Sequence, residues 1–258
     1  MSTCQIADLE LAAGMLNREA AALPLVGRLR LIADTAPGPI VFTTSFGVED
    51  QAITHALVAA DVAKVTLKTL DTGRLFPETY ALWAETERSY PLRILGVSPK
   101  QDSVEDLVAR DGPDGFYRAL EARKSCCQVR KVEPLARALA GAKSWITGLR
   151  GDQSAQRATV EFAEIDPARG VLKLNPLFDW TRSEVVAFVT VSKVPINPLH
   201  QAGFVSIGCA PCTRAILPGE PERAGRWWWE DETKKECGLH IAPDGRLSRP
   251  EPAGGALA

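Results

Sequence analysis

The sequence predicts an α/β protein in which a mainly parallel sheet carries helices on both faces and a loop-rich C-terminal segment follows. From residue 37 onward, short apolar runs alternate with helical patterns, which is typical of parallel strands joined by helices. Of the 258 residues, 45% are hydrophobic and 24% are charged, so the chain can bury a large core. No internal repeat is visible, which argues against a repeat architecture.

Changes in composition divide the chain into four segments. The first is rich in Ala and Leu and predicts one or two packing helices, whereas the second carries the alternating strands and helices. In the third, Pro, Gly, Cys and Trp become frequent, which predicts ligand-facing loops and short helices. The fourth has little to bury and predicts a mobile tail. In order, the segments are residues 1–36, 37–194, 195–240 and 241–258.

Local patterns within the α/β segment set the expected elements. The expected strands are 39–44, 65–70, 92–97, 144–149 and 171–177. The expected helices are 48–60, a stretch that follows Pro77, and 102–110. A last helix is expected after Thr181, because Thr181 and Glu184 have the spacing of a capping box.

Charge and hydropathy exclude several classes of protein. Thirty basic and 32 acidic side chains give a net charge of -2, so nucleic acid and membrane surfaces are not expected partners. No run approaches 18 apolar residues, and Asp8 and Glu10 lie where a signal peptide would need basic and apolar residues. We therefore expect a cytoplasmic protein. If its ligand is anionic, we expect that ligand to be small.

Three turns are expected at the carboxyl ends of strands, where open parallel sheets bind their ligands. They lie at 45–47, 71–73 and 150–152. Neither G-x-G-x-x-G nor G-x-x-x-x-G-K-[ST] occurs, so a standard dinucleotide or Walker-type loop is not supported. The turn from Thr44 to Gly47 could present backbone N–H groups and a hydroxyl to a nucleotide, although such a turn is often only a turn.

Four cysteines form two compact pairs, Cys126-Cys127 and Cys209-x-x-Cys212. Four thiolates suit a 4Fe-4S cluster or a structural zinc ion. The adjacent pair favours the cluster, because a cluster has four separate iron atoms and two neighbouring cysteine side chains can bind different ones. Zinc and unliganded structural thiols remain alternatives.

Basic residues surround the first cysteine pair. Residues 118–137 have a local charge of +4, which could be a solvated helix face or could attract an anionic substrate. Pro134 predicts that a helix begins there, which would leave Lys131 near its start. Farther along, Arg223 and Arg226 precede Trp227 and supply guanidinium groups for anion recognition.

Cys237 lies outside both pairs, in the segment Glu236-Cys237-Gly238-Leu239-His240. It could be an exposed nucleophile or an idle surface thiol. Lys234, Lys235 and His240 would favour its thiolate, whereas Glu232 and Glu236 would oppose it.

Long stretches around these residues resemble the phosphoadenylylsulfate reductase family, in its iron-sulfur-containing branch of assimilatory adenylylsulfate reductases. The matching stretches are 126–135, 206–214, 223–230 and 236–240. The resemblance implies an adenine-nucleotide alpha-hydrolase-like fold. It also implies reduction of adenosine 5'-phosphosulfate (APS) to sulfite and AMP, with a thioredoxin-type protein as thiol donor. A homo-oligomer is expected.

The resemblance also implies roles for individual residues. Cys237 would be the nucleophile that forms a thiosulfonate, and Cys126, Cys127, Cys209 and Cys212 would bind a 4Fe-4S cluster. The remaining residues would bind substrate: Thr44, Ser45 and Gly47 in a modified pyrophosphate-type loop; Leu70, Thr72 and Gly73 in the adenosine pocket; and the cationic group Lys131, Arg150, Arg157, Arg223, Arg226 and His240.

Three alternatives compete with this reading. The first is a reductase of the 3'-phosphorylated nucleotide, or one that accepts both nucleotides; relatives that use that nucleotide typically lack both cysteine pairs. The second is a non-catalytic iron-sulfur redox sensor, in which the motif around Cys237 would have no purpose. The third is an ATP-using adenylating enzyme, which is disfavoured because the turn at 45–48 lacks a Gly-rich, Lys-bearing loop.

Overall fold

A single six-stranded sheet organises the protein, whose computed structural model describes residues 3–154 and 157–231, with side chains from Ile6 onward. The strand order is β3-β2-β1-β4-β6-β5, and all neighbouring pairs are parallel except β5 and β6. The strands are β1 Ile40–Thr44, β2 Val65–Leu70, β3 Ile94–Val97, β4 Ser144–Ile146, β5 Ala163–Asp166 and β6 Val171–Leu174.

Helices cover both faces of this sheet. They are α1 Thr3–Ala20, α2 Leu25–Thr35, α3 Val48–Ala59, α4 Pro77–Ser89, α5 Gln101–Asp111, α6 Leu120–Cys127, α7 Glu133–Ala138 and α8 Arg182–Val191. Successive side chains of β1 point to opposite faces of the sheet and so pack against different helices. Ile40 and Phe42 pack into a core with α2, α3 and α8. Val41 packs on the opposite face with Leu135 of α7. The predicted fold class is confirmed.

The hairpin of β5 and β6 differs from the sequence prediction. The sequence analysis missed β5, since Glu164 and Asp166 break its apolar pattern. Gly170, at φ 67°, lies in the turn that leads to β6, a conformation that suits glycine. The strand β6 also ends at Leu174, before the expected 177.

The region around Pro134 refines a second prediction: α7 begins at Glu133, with Pro134 in its first turn, but it continues an earlier helical path. Residues 120–138 form one helical path in which a π-helical turn, Gln128–Val132, joins α6 to α7. The Glu133 N–H donates to the carbonyl of Gln128, five residues earlier. Pro134 has no N–H to donate, and the wider turn before it accommodates it inside the helix. Lys131 therefore lies within a helix rather than ahead of one.

The described part of the C-terminal segment packs beside the carboxyl ends of the strands. Thr213 and Arg226 form an isolated antiparallel bridge, and the Trp227 N–H donates to the carbonyl of Cys212 at 3.1 Å. The predicted tail, 241–258, and the motif at 236–240 lie outside the described residues. The four-segment division stays a prediction. Within the described residues, no helix is both long enough and apolar enough to cross a membrane.

Candidate active site and cluster site

A cleft of about 230 Å³ opens at the carboxyl ends of β1, β2 and β4. This is the edge at which open parallel sheets bind ligands. Nine of the predicted substrate-binding residues line it: Thr44, Ser45, Gly47, Leu70, Thr72, Lys131, Arg157, Arg223 and Arg226. Gly73 and Arg150 do not line it, and His240 lies outside the described residues. The fold therefore brings together residues spread over 183 positions of sequence, from 44 to 226.

The loop between β1 and α3 is fixed by a buried carboxylate. The Ser45 N–H and hydroxyl both donate to Oδ2 of Asp50, at 2.6 and 2.7 Å. Asp50 lines the cleft at the start of α3 and was not singled out by the sequence analysis. Burial raises its pKa to about 7, although both bonds from Ser45 lower it, and the charge of Glu49 raises it further.

Arg150, which was predicted to bind substrate, lies behind the cleft wall, where its guanidinium contacts carboxylates of the protein. The side chain is 0% exposed and forms ion pairs with Glu49, Asp152 and Glu222. The distances to Glu49 and Glu222 are 2.9 and 2.7 Å. Since Glu49 and Glu222 line the cleft, Arg150 holds its wall in place and does not itself line the cleft.

The cationic part of the cleft depends on the close approach of the Arg226 side chain to the backbone at Gly208. The Arg226 guanidinium lies 4.7 Å from the ring centre of Trp227 and against Gly208. A Cβ at position 208 would come within 2.3 Å of Arg226 Nη2. Glycine at 208 therefore creates the space that the arginine occupies. Arg157 donates to the side-chain oxygen of Gln153 at 2.6 Å, which orients it at the same cleft.

A second, smaller cavity lies beside the cleft and is lined by all four paired cysteines. Cys127, Cys209 and Cys212 are buried, Cys126 is half-buried, and none of these four is in a disulfide. Cys126 and Cys127 end α6, whereas Cys209 and Cys212 flank a short helical turn. No three His, Cys, Asp or Glu side chains in the described ranges are grouped so as to hold a single metal ion.

The loop after β2 holds the second cysteine pair. The Ala210 N–H donates to the carbonyl of Arg74 at 2.8 Å, and the Thr72 hydroxyl lies 3.3 Å from Cys209 Sγ. Arg130 of the π turn donates to the carbonyl of Thr72 at 2.7 Å. The same loop therefore contacts the cleft, through Thr72, and the cysteine cavity.

The charges around the thiols act unequally. Burial raises the pKa of Cys126 and raises that of Cys212 to about 12. At Cys209 burial also raises the pKa, but Lys131, the Thr72 hydroxyl and Arg226 outweigh it, so that the pKa lies below its ordinary value. The neighbouring cations therefore favour the thiolate form of Cys209, which also lines the cleft.

The cavity lining suits a thiolate-bound iron-sulfur cluster. Trp227 Nε1 and Arg130 Nε are buried and have no hydrogen-bond partner among the described residues, and both side chains line the cavity. Unpaired buried donors are costly, and cluster or thiolate sulfur would supply acceptors. Four thiols and two donors around one cavity fit a 4Fe-4S cluster.

One wall separates the two cavities. Lys131, Cys209 and Trp227 line both the cleft and the cysteine cavity. Trp227 is 1% exposed and packs with Phe116 and three of the cysteines. These three residues therefore contact both cavities.

Comparison with known proteins agrees with this geometry. Residues 39–215 match the phosphoadenosine phosphosulfate reductase domain family. The chain belongs to this family. A protein of Sinorhizobium fredii (strain USDA 257) named adenosine 5'-phosphosulfate reductase is 53% identical over 91% of this chain and 93% of its own length. One of that name from Allochromatium vinosum is 51% identical over 87% of this chain and 86% of its own.

A solved structure extends the likeness to three dimensions. The phosphoadenylyl-sulfate reductase of Candida auris, in a phosphate complex, matches with a TM-score of 0.67 and 27% identity. The match covers 79% of this chain and 96% of that one. The reductase-family fold is therefore shared.

Sequence reasoning missed several residues of the family's cleft in this chain. Asp50, Glu222 and Gln153 line it, and Trp227, to which the sequence analysis assigned no binding role, lines both cavities. Asp50 follows the predicted turn by three positions, so a carboxylate at a helix start was the available signal. No local pattern indicates Glu222, which reaches the cleft through its pairing with Arg150.

Proposed function

We propose that this protein reduces adenosine 5'-phosphosulfate to sulfite and AMP in sulfate assimilation and cysteine biosynthesis. The observation that carries the proposal is the shared wall of Lys131, Cys209 and Trp227, which joins a cationic cleft to a four-cysteine cavity. Relatives that share about half of its residues carry the name of that reductase. The family match supports binding of the nucleotide at the carboxyl edge of the sheet.

The first step transfers a sulfonate group to Cys237. Its thiolate attacks the sulfur of APS, the S–O bond to the nucleotide phosphate breaks, and AMP leaves with the bonding electron pair. The enzyme then carries Cys237–S–SO₃⁻. Position 237 lies six residues beyond Asp231, where the described chain ends.

The second step returns Cys237 to its thiolate. A thiolate of a thioredoxin-type dithiol protein attacks Cys237 Sγ, and the sulfur–sulfur bond to the sulfonate breaks to release sulfite. The second thiol of the donor resolves the mixed disulfide. The dithiol thereby supplies both electrons, and the donor leaves as a disulfide.

Charge compensation is the main task of the cleft. A thiolate and a phosphosulfate dianion repel each other by on the order of 1 kcal/mol per charge pair at 4 Å in water, and more where water is excluded. Lys131, Arg157, Arg223 and Arg226 line the cleft and counter this repulsion. His240 is the further proposed contributor, by resemblance.

We also propose that Cys126, Cys127, Cys209 and Cys212 hold a 4Fe-4S cluster. When bound, the cluster supplies a fixed, negatively charged anchor beside the cleft. Thiol exchange accounts for both electrons, so no electron is needed from the cluster. The proposed role of this site is therefore to hold the cationic side chains of the cleft in place. Lys131 and Trp227 perform it, because they line both cavities.

The proposed setting is the cytoplasm, where free thiols stay reduced and dithiol donors are available. Cys126, Cys127, Cys209 and Cys212 are not in disulfides, which fits that setting. The homo-oligomer stays a prediction.

A single-turnover experiment tests the proposed function. Protein purified without air is mixed with APS in the absence of thiol, and mass spectrometry locates the added sulfonate. We expect it on Cys237, with AMP released in equal amount, and no adduct in the Cys237→Ser variant. A sulfonate on another residue would overturn the assignment of the nucleophile, and zinc instead of iron in the same preparation would overturn the cluster.

A parallel assay distinguishes the two nucleotides. Sulfite release from APS and from its 3'-phosphorylated form is measured at equal concentration. We expect a clear preference for APS, because both cysteine pairs are present. A preference for the 3'-phosphorylated nucleotide would contradict the proposed substrate.

A further inference from the structure

Three aromatic side chains form a partly exposed surface beside the cysteine cavity. The aromatic surface, as we call it, consists of Tyr117, Trp228 and Trp229. Ring centres lie 4.4 Å apart for Tyr117 and Trp229, and 4.8 Å apart for Trp228 and Trp229. Tyr117 is 42% exposed and Trp228 is 40% exposed. Such exposed aromatic groups often mark contact sites for partners.

The aromatic surface is held rigidly from beneath. The Tyr117 hydroxyl donates to the carbonyl of Pro211 at 2.6 Å, within the turn that carries Cys209 and Cys212. Glu230, which follows the aromatic pair, forms an ion pair at 2.7 Å with Arg123, whose side chain is almost fully buried. A rigid surface loses little conformational entropy when a partner binds, so it suits recognition.

Chain length connects this surface to the proposed chemistry. Cys237 lies six positions beyond Asp231, and six extended residues span at most about 20 Å. Trp228 and Trp229 lie only two or three positions before Asp231. A protein that attacks Cys237 Sγ must therefore come within about 20 Å of Asp231.

We propose that the aromatic surface is the docking site of the thiol-donating protein. This proposal rests on the proposed function, since it concerns the partner of its second step. The partner is a dithiol protein whose reactive cysteine lies in an apolar contact surface, because such a surface would cover Tyr117 and Trp228. Docking there would position the partner's sulfur near Cys237, whereas a small dithiol would need no such contact.

The test compares two charged substitutions on the intact holoenzyme. Trp228→Glu places a carboxylate on the aromatic surface, and Val191→Glu is the matched control. Val191 is 83% exposed at the end of α8, a helix that packs against α3. For each variant we measure the KM for a reduced thioredoxin, turnover with dithiothreitol, and formation of the Cys237 sulfonate in a single turnover. Trp228→Phe is the rescue variant.

We expect Trp228→Glu to raise the KM for thioredoxin by roughly tenfold, as loss of an aromatic contact at an interface does. Turnover with dithiothreitol and the yield of sulfonate should match those of Val191→Glu, and Trp228→Phe should restore most of the affinity. An unchanged KM for thioredoxin would overturn the docking proposal.

Two other results have separate meanings. If Trp228→Glu impairs sulfonate formation and dithiothreitol turnover as strongly as thioredoxin turnover, residues 232–258 of the same chain use this surface, and the docking proposal is wrong. If no sulfonate forms on the unmodified protein, the proposed function itself fails.

Discussion

The Thr72 hydroxyl oxygen lies 3.3 Å from Cys209 Sγ and also accepts the Arg74 N–H at 3.2 Å. Because that N–H donates to the oxygen, the hydroxyl hydrogen is available to the sulfur. One short loop therefore joins the carboxyl edge of the sheet, where the cleft lies, to the second cysteine pair. On the proposed function, nucleotide binding and cluster retention should consequently depend on each other.

Thr72→Val tests this dependence by removing the hydroxyl while keeping the shape. We expect AMP to bind about fivefold more weakly, because the loop that lines the cleft loses the hydrogen bonds of the Thr72 hydroxyl. Iron should also be lost faster in air. Titration calorimetry with AMP and a time course of iron content measure the two effects. Thr72→Ser keeps the hydroxyl and is the control; iron loss with unchanged AMP affinity would show that the loop does not link the sites.

Asp50→Asn should alter how stability depends on pH. The folded-state pKa of Asp50 is about 7, above its ordinary value of 3.8, so the folded protein holds a proton that the unfolded chain releases. The unmodified protein should therefore lose stability, relative to the variant, as pH rises from about 4 to 7. Above pH 7 the difference should level off.

Urea unfolding between pH 5 and 8 measures this difference. The asparagine can still accept a bond from Ser45, so the loop should keep its conformation. Ser45→Ala provides the comparison, because it removes the side-chain donor and leaves the carboxyl group. A difference between wild type and Asp50→Asn that does not change with pH would contradict the raised pKa.

Arg150→Met should destabilise the protein through its uncompensated carboxylates. Removal of the guanidinium leaves Glu49 and Glu222 without their buried partner, at a cost on the order of 3 kcal/mol. Arg182→Met is the control, since Arg182 is partly exposed and contacts only the second of these carboxylates; its cost should stay below about 1 kcal/mol. Unchanged urea stability of Arg150→Met, combined with lost AMP affinity, would instead favour direct ligand contact.

Gly208→Ala should displace Arg226, since the added Cβ would lie 2.3 Å from its Nη2. We expect sulfonate transfer to Cys237 to slow by about tenfold or more, because one cation of the cleft moves. Gly14→Ala in α1 is the control, where the added atom would make only an ordinary contact at 3.6 Å. Rapid-quench kinetics of AMP release measure the rate. Equal rates in the two variants would mean that Arg226 has no part in the reaction.

Local patterns predicted most of the strands and helices that build the cleft. The apolar runs of β1, β2 and β4 were readable because both faces of these strands are covered. The strand β5 was not, since its polar positions interrupt the apolar pattern. The π turn before Pro134 also left no periodic signal, because it depends on one shifted hydrogen bond.

The predictability of the site residues followed a similar division. Cysteine spacing indicated which four thiols belong together, and the structure brings them to one cavity. The role of Arg150 depends on Glu49 and Glu222, which lie 101 and 72 positions away, so no local pattern could show it. The predictions for Cys237 and His240 lie outside the described residues and remain predictions.

The wall shared by the cleft and the cysteine cavity has a consequence under oxidative stress. On the proposed function, oxygen that strips iron from the sulfur side would remove the support of Lys131 and Trp227 while the sheet stays folded. The chain would then stop consuming its activated sulfate long before it denatured. Reassembly of the metal centre on an intact polypeptide would restore it, so the same partition would serve as a reversible off-state.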